Sequence, residues 1–169
     1  MGMDVLPPDI NESFDNFTYI DDTHIRFGLL AVKNLGNDIT RYIIEERKIH
    51  GQYSSLHNFV SRMGIKNFNK KTLESLAKSG ALDSLSERNL VLCNIENILT
   101  AARQFRKDQE TKQTSLFGAE DSRILRMVLN EVTPATKHEK LTWEKEFLGL
   151  YVSQHPFKEF ASELEGIVT

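Results

Sequence analysis

The sequence predicts a mainly α-helical protein in which two helical hairpins follow a small N-terminal β-hairpin and precede a C-terminal helical extension. Three observations predict this fold. From residue 29 onward, apolar side chains recur at steps of three and four, the spacing of one face of a helix. Gly51, Gly64 and Gly80 stand where these apolar faces stop, a position that glycine favours after a helix. Short extended runs, typical of strands, occur before residue 28.

Residues 1–28 form the first predicted unit, the β-hairpin. Two adjacent prolines near its start exclude a helix there, and the extended runs 17–20 and 24–27 are separated by a polar turn. Asp21 and Asp22 in that turn resemble a pair of catalytic carboxylates, but no third acid or basic partner stands beside them. A role in the turn therefore explains them better than catalysis does.

Residues 29–85 are predicted to form two helix-hairpin-helix units in tandem. In the first unit, a tight turn separates a short helix from a longer one that carries Ile39. In the second unit, Ser54 or Ser55 caps one helix, and Asn69 caps the next. The same arrangement is thus repeated, loosely, along the chain.

Residues 86–112 are predicted to form one long helix starting at Ser86, because apolar residues from Val91 to Phe105 alternate steps of four and three. Cys93 lies within this pattern and is predicted to be buried. The polar residues 106–115 predict a helix end that passes into a loop. Residues 119–169 are predicted to be a helical connector, with helices at 124–129, from near Lys137 after Pro134, and at 157–164.

Charge is unevenly distributed, although the net charge is only −3. Residues 1–28 are strongly acidic, whereas residues 33–71 carry eight basic and three acidic side chains. This second stretch favours contact with phosphate. No apolar run reaches the about 18 residues of a membrane span, which predicts a cytoplasmic protein. The histidines lack metal-ligand spacing, and neither a phosphate loop nor a nucleophile elbow occurs, so no catalytic residue, metal or cofactor is predicted.

A tight hairpin that opens a helix can bind phosphate, because the first N–H groups of a helix have no carbonyl partner and the helix dipole favours negative charge. An ordinary hairpin that binds nothing explains the first turn equally well, while the lysines at the second turn favour phosphate because they oppose the helix dipole. Asn34 stands where this motif usually has glycine, and Asn tolerates positive φ. The candidate DNA-binding residues are Lys33, Asn34, Leu35, Gly36, Asn37 and Thr40 at the first hairpin, and Lys66, Asn67, Lys70 and Lys71 at the second.

Residues 113–118 form a separate candidate site, a peptide with one amide and two adjacent apolar side chains after a polar stretch. Exposure of Leu116 and Phe117 to water is unfavourable, which suggests that a partner pocket buries them. The other interpretation is that both side chains fold back onto the long helix. Spacing alone favours that second interpretation.

Several blocks of the sequence, in order, resemble the family of bacterial DNA polymerase III alpha subunits, the replicative C-family polymerases. They read DVLPPDINES at 4–13, IRFGL at 25–29 with AVK at 31–33, NKK at 69–71 with GALD at 80–83, and EKE at 144–146 with LGLY at 148–151 and HP at 155–156. The resemblance implies a piece that runs from the end of the fingers, through the tandem hairpins, to just before the OB domain.

The resemblance implies that the hairpins hold double-stranded product DNA and that Gln113, Ser115, Leu116 and Phe117 bind the β sliding clamp. It also implies that other replicase subunits contact regions outside this stretch. The magnesium-binding aspartates of the palm domain would precede it, so this piece is not expected to polymerise DNA. The residues leave two rivals open, a helical adaptor that binds only protein and a helix-hairpin-helix piece of a DNA repair enzyme.

Overall fold

The computed structural model describes residues 2–64, 67–114 and 127–153, with the backbone alone at 112–114. A small sheet comes first and is followed by a 3₁₀ turn and helices. The strands are β1 (Asp4–Leu6), β2 (Thr18–Asp21) and β3 (His24–Arg26), and the 3₁₀ turn is Leu29–Ala31. The helices are α1 (Asn37–His50), α2 (Leu56–Arg62), α3 (Lys70–Lys78), α4 (Arg88–Cys93), α5 (Ile95–Thr114) and α6 (Lys137–Leu148). The predicted mainly α architecture, with a small sheet at its start, is confirmed.

The predicted β-hairpin is present as β2 and β3, which pair antiparallel. Its turn is held by Asp21, whose Oδ1 accepts hydrogen bonds from the Thr23 backbone N at 2.9 Å and from Thr23 Oγ1 at 2.8 Å. These bonds and one from His24 lower the pKa of Asp21 to about 2. The pairing of β1 with β3, which is parallel and joins Val5 to Ile25, was not predicted because the two strands are far apart in sequence.

The first helical hairpin differs from the prediction in its opening element. Residues from Leu29 form one 3₁₀ turn instead of an α-helix. Asn34 then takes φ 65°, the left-handed conformation predicted to be tolerable there. The second helix, α1, is N-capped by Gly36 and followed by Gly51 at φ 82°, so the predicted glycine stop is confirmed.

The second hairpin is built by local caps that were predicted. Ser55 caps α2, accepting a hydrogen bond from the Asn58 backbone N at 3.0 Å. Asn69 caps α3 by accepting one from the Thr72 backbone N at 3.1 Å. Gly80 follows α3 with φ 85°, a conformation that L side chains rarely adopt.

The predicted long helix from Ser86 is two helices, and this prediction was wrong. Glu87 caps α4, and the helical run breaks at Asn94 before α5 begins. The Asn94 side chain bonds to the backbone of Asn130 in both directions, at 3.0 and 2.7 Å. The two residues are 36 positions apart, so no local sequence pattern predicts these hydrogen bonds. Cys93 ends α4 and is exposed, which contradicts its predicted burial.

The helix α5 continues to Thr114, close to the predicted end of the long helix at residue 112, and its polar residues from 106 onward are helical where a helix end passing into a loop was predicted. Its polar side chains bond along the helix, as in the 3.0 Å bond from Gln104 Nε2 to Asp108 Oδ1. A polar helix of this kind is stabilised by links between residues four apart and lacks the apolar periodicity that reveals most helices.

The start of α6 agrees with the prediction, since Thr136 and Glu139 form a reciprocal capping box after Pro134. Residues 127–130 are not helical, which contradicts the end of the helix predicted at 124–129. The rest of that helix and the one predicted at 157–164 lie outside the described residues.

One core joins the hairpins to α4 and the first half of α5. It is continuous because α3 packs against α4, α5 and α6, and α2 packs against α5. No described helix is long and apolar enough to cross a membrane. The fully buried apolar side chains include Ile10, Leu29, Ile43, Phe59, Val60, Leu73, Leu76, Val91 and Ile98.

Candidate nucleic-acid interface

The turns of the two predicted hairpins open on the same cleft. They are called the first corner, at residues 34–36, and the second corner, at residues 67–69. The N-termini of α1 and α3 both face it, and Asn67 Nδ2 lies 3.5 Å from Asp38 Oδ2 across the gap. Two helix N-termini therefore present their positive dipole ends to one space. The cleft has a volume of about 390 Å³ and is lined by Gly36, Asn37, Asp38, Ile39, Asn67, Asn69 and Thr72.

The first corner leaves backbone donors unused. Leu35 is buried, and its N–H donates to Val32 O at 3.1 Å. The N–H groups of Gly36, Asn37 and Asp38 meet no acceptor among the residues that the structure describes. Because these groups open a 14-residue helix, an anion in the cleft would satisfy them.

Gly36 is not required by the fold. Its backbone, at φ −83° and ψ 166°, is one that any residue adopts, and an added Cβ would meet nothing within 4 Å. No side chain caps α1 at this position, although Ser, Asn or Asp would do so better than glycine. The missing side chain keeps the space before the free N–H groups open.

The second corner is capped by its own side chain and carries lysines. The side chain of Asn69 accepts a hydrogen bond from the backbone N–H of Thr72. No carboxylate in the described part of the chain forms an ion pair with Lys70 or Lys71. Both lysines are exposed at the start of α3, where positive charge opposes the helix dipole. Lys66, the remaining predicted residue here, lies outside the described residues.

Two predicted contacts do not fit this arrangement. Thr40 is 1% exposed and packs on the inner side of α1, so its side chain does not reach the cleft. Lys33 turns toward α6, where its Nζ lies 3.7 Å from Glu146 Oε1 and 5.8 Å from the centre of the Phe147 ring. Both residues were predicted to bind DNA because they are close to the turn in sequence. Closeness in sequence does not determine the direction in which a side chain points.

A family model described as a helix-hairpin-helix motif matches residues 2–90. The chain belongs to this helix-hairpin-helix family. It is also 39% identical to DNA polymerase III subunit alpha of Deinococcus radiodurans over 94% of its own length, and 38% identical to that of Borreliella burgdorferi over 98%. The corresponding subunit of Thermus aquaticus is 39% identical over 92% of the chain. The predicted relationship to these polymerase subunits is confirmed, and the chain spans 12 to 15% of the length of these relatives.

Sequence reasoning missed two basic residues beside the second corner of this helix-hairpin-helix region. Arg103 and Arg106 of α5 line a pocket next to Lys70. Their spacing of three residues is a helical signal, and both lie within the helix predicted over 86–112, but the second falls in the polar stretch 106–115 that was interpreted as a helix end. Following the helical spacing past Phe105 would have placed both arginines on one face with Leu99 and Ala102.

Two further predictions concern other parts of the chain. No group of three or more His, Cys, Asp or Glu residues suited to a metal ion occurs within the described ranges. Of the predicted clamp-binding residues, Gln113 lies in α5 with only its backbone described. Ser115, Leu116 and Phe117 lie outside the described residues, so both interpretations of this peptide stay predictions.

Proposed function

We propose that this chain holds duplex DNA and ties it to a sliding clamp, as a non-catalytic part of a replicative DNA polymerase. The DNA contact is made with phosphates and does not depend on base sequence. Nucleotide transfer and its magnesium ions belong to regions of a longer polymerase outside this stretch. Contacts with other replicase subunits belong there too.

The observation that carries the proposal is the pair of helix N-termini on one cleft, with unused N–H groups at the first corner. Phosphate oxygens are strong acceptors, and bonds from N–H groups to a charged oxygen are about twice as strong as neutral ones. Backbone N–H groups that bind phosphate oxygens do not contact the bases. They therefore fix the position of the protein on the duplex without selecting a base sequence. Among the described residues that line the cleft, Asp38 has the one carboxylate, and it faces Asn67.

The relatives of this chain give the context. They are polymerase subunits that align with this chain over nearly its whole length. A replicative polymerase must hold any sequence it has copied, which suits a contact limited to phosphates. A helical adaptor that binds only protein has no use for an open glycine corner in front of free N–H groups.

Clamp tethering rests on the sequence of residues 113–118 and on its resemblance to the polymerase family. Leu116 and Phe117, buried together in a partner pocket, would supply about 3 to 6 kcal/mol before ordering costs. A second, weak DNA contact on the same chain then acts at high effective concentration. Modest affinity at each site is therefore sufficient for processive synthesis.

The DNA contact is tested by placing a carboxylate in the first corner. Gly36→Asp and Gly36→Asn introduce side chains of nearly equal size, and both are good helix N-caps, so both variants should be at least as stable as wild type. Gly36→Asp should weaken duplex binding by about tenfold or more, because its charge occupies the place of the phosphate. Gly36→Asn is the matched control for size and should weaken binding less.

The measurement is fluorescence anisotropy with two labelled duplexes of unrelated sequence over a range of salt concentrations. We expect equal affinities for the two duplexes and a linear fall of log K with log salt. A Gly36→Asp variant that binds with wild-type affinity and salt slope would exclude the corner. Failure of the wild-type protein to bind either duplex would favour the protein-only adaptor.

The clamp contact is tested by Phe117→Ala in a pull-down with the β sliding clamp. Loss of this anchor should abolish capture, since most binding energy resides in a few buried apolar side chains. Thr114→Ala, which lies within the peptide but is not one of its predicted clamp-binding residues, is the control and should leave capture intact. Retained binding by Phe117→Ala would show that the clamp contact lies elsewhere.

A further inference from the structure

A second pocket lies beside the cleft, between the start of α3 and the middle of α5. It has a volume of about 240 Å³. Its floor is apolar, with Met63, Phe68, Leu99 and Ala102, and its rim is polar, with Asn69, Lys70, Arg103 and Arg106. Asn69 lines both this pocket and the cleft, so the two spaces are neighbours.

The rim brings three cations together with no carboxylate among the lining residues. Arg106 donates to no acceptor in the described part of the chain. Among the described residues, Arg103 donates to neutral groups of its own helix, Leu99 O at 3.3 Å and Thr100 Oγ1 at 3.3 Å. Like charges held at one pocket repel each other, and a bound anion relieves that repulsion.

Three other arginines of the described helices are hydrogen-bonded within the fold. Arg47 Nη2 donates to Ser13 O at 2.9 Å, Arg62 Nε to Glu46 Oε1 at 3.0 Å, and Arg88 Nη2 to Asp83 Oδ2 at 2.8 Å. Those three arginines have places within the fold. Among the described residues the two arginines of α5 have no comparable partner, and an anion in the pocket would supply one.

We propose that this pocket binds a second phosphodiester group of the same duplex, next to the one held at the hairpin corners. The inference rests on the proposed function and extends it to α5, which lies outside the residues matched by the family model. Arg103, Arg106 and Lys70 neutralise the phosphate, and the apolar floor receives the adjoining sugar. An anion here also offsets the unfavourable position of Lys70 at the start of α3.

The test compares two double variants that remove the same charge. Arg103→Gln/Arg106→Gln empties the rim, and Lys107→Gln/Lys140→Gln removes two charges from residues that line neither pocket. In duplex anisotropy, the arginine variant should lose about tenfold in affinity, and its slope of log K against log salt should become shallower by about 0.9, the value for one phosphate. The lysine variant should keep the wild-type slope.

A charge-conserving variant and a small-anion titration complete the test. Arg103→Lys/Arg106→Lys should restore the salt slope, which a merely structural loss would not allow. NMR resonances of the pocket should shift with duplex, and shifts with inorganic phosphate but not with duplex would overturn the inference by marking a small-anion site. The inference also fails if the glutamine variant behaves like the lysine control while Gly36→Asp still weakens binding. If wild-type protein binds no duplex, the proposed function fails as well.

Discussion

Replacing Arg88 with Met would remove the cation from a buried ion pair that joins α4 to α6. Arg88 is 3% exposed, and its Nη2 lies 2.8 Å from Asp83 Oδ2 and 3.2 Å from Glu144 Oε1. Burial opposes the charge of Arg88, but hydrogen bonding and attraction to the two carboxylates outweigh it, and the pKa of Arg88 is raised. Met fills a similar volume without the charge.

The magnitude follows from what the substitution leaves behind. Glu144 is 0% exposed. Its Oε2 still accepts from the backbone N of Val152 and of Ser153, both at 3.1 Å, but its charge loses its partner. Removing one member of a buried pair costs about 3–5 kcal/mol. Asp83→Asn removes the partner whose side chain is 46% exposed, and should cost less than about 1 kcal/mol because solvent screens that pair.

Urea unfolding followed by circular dichroism measures both losses. Arg88→Met/Glu144→Gln should be less destabilised than the sum of its two single variants, by about 0.5–3 kcal/mol, because no unpaired charge remains buried. The reasoning is refuted if Arg88→Met costs no more than Asp83→Asn, since the buried arm of the network would then contribute nothing.

Two further predictions concern the turn after α3 and the β-hairpin. Gly80→Ala should destabilise the protein by at least about 1–2 kcal/mol in urea unfolding, since φ is 85° and the new Cβ would lie 2.6 Å from Arg88 Nη2; an unchanged midpoint contradicts this. The Asp21 carboxyl should titrate near pH 2 by NMR, because the Thr23 N–H and then His24 favour its charged form. Its lowered pKa means that its contribution to stability is present above about pH 4 and disappears as the pH falls toward 2; a titration midpoint near 4 contradicts the assigned hydrogen bonds.

The tandem hairpins were predictable because their boundaries are set locally. Ser55 and Asn69 cap helices with atoms three residues away, and Gly51 and Gly80 end helices through their own φ angles. Such signals act within a few residues and survive in almost any tertiary setting. The corner at Asn34 was predictable for the same reason.

The features that were not predicted depend on distant contacts. The break at Asn94 is stabilised by Asn130, and the parallel pairing of Val5 with Ile25 joins two strands separated by a complete hairpin arm. The candidate site was anticipated at Gly36 and Asn37 but not at Arg106. That arginine joins the site because α5 packs beside α3, and no local pattern reveals that contact between two elements.

The length of α5 separates the helical hairpins from the residues that follow Thr114. Its 20 residues extend about 30 Å at 1.5 Å per residue, and its first half is fixed in the core by Ile95 and Ile98. In the proposed function, a partner bound after Thr114 and the DNA held at the hairpins would therefore be joined through a rigid helix. The length of that helix would then contribute to the distance between the two contacts.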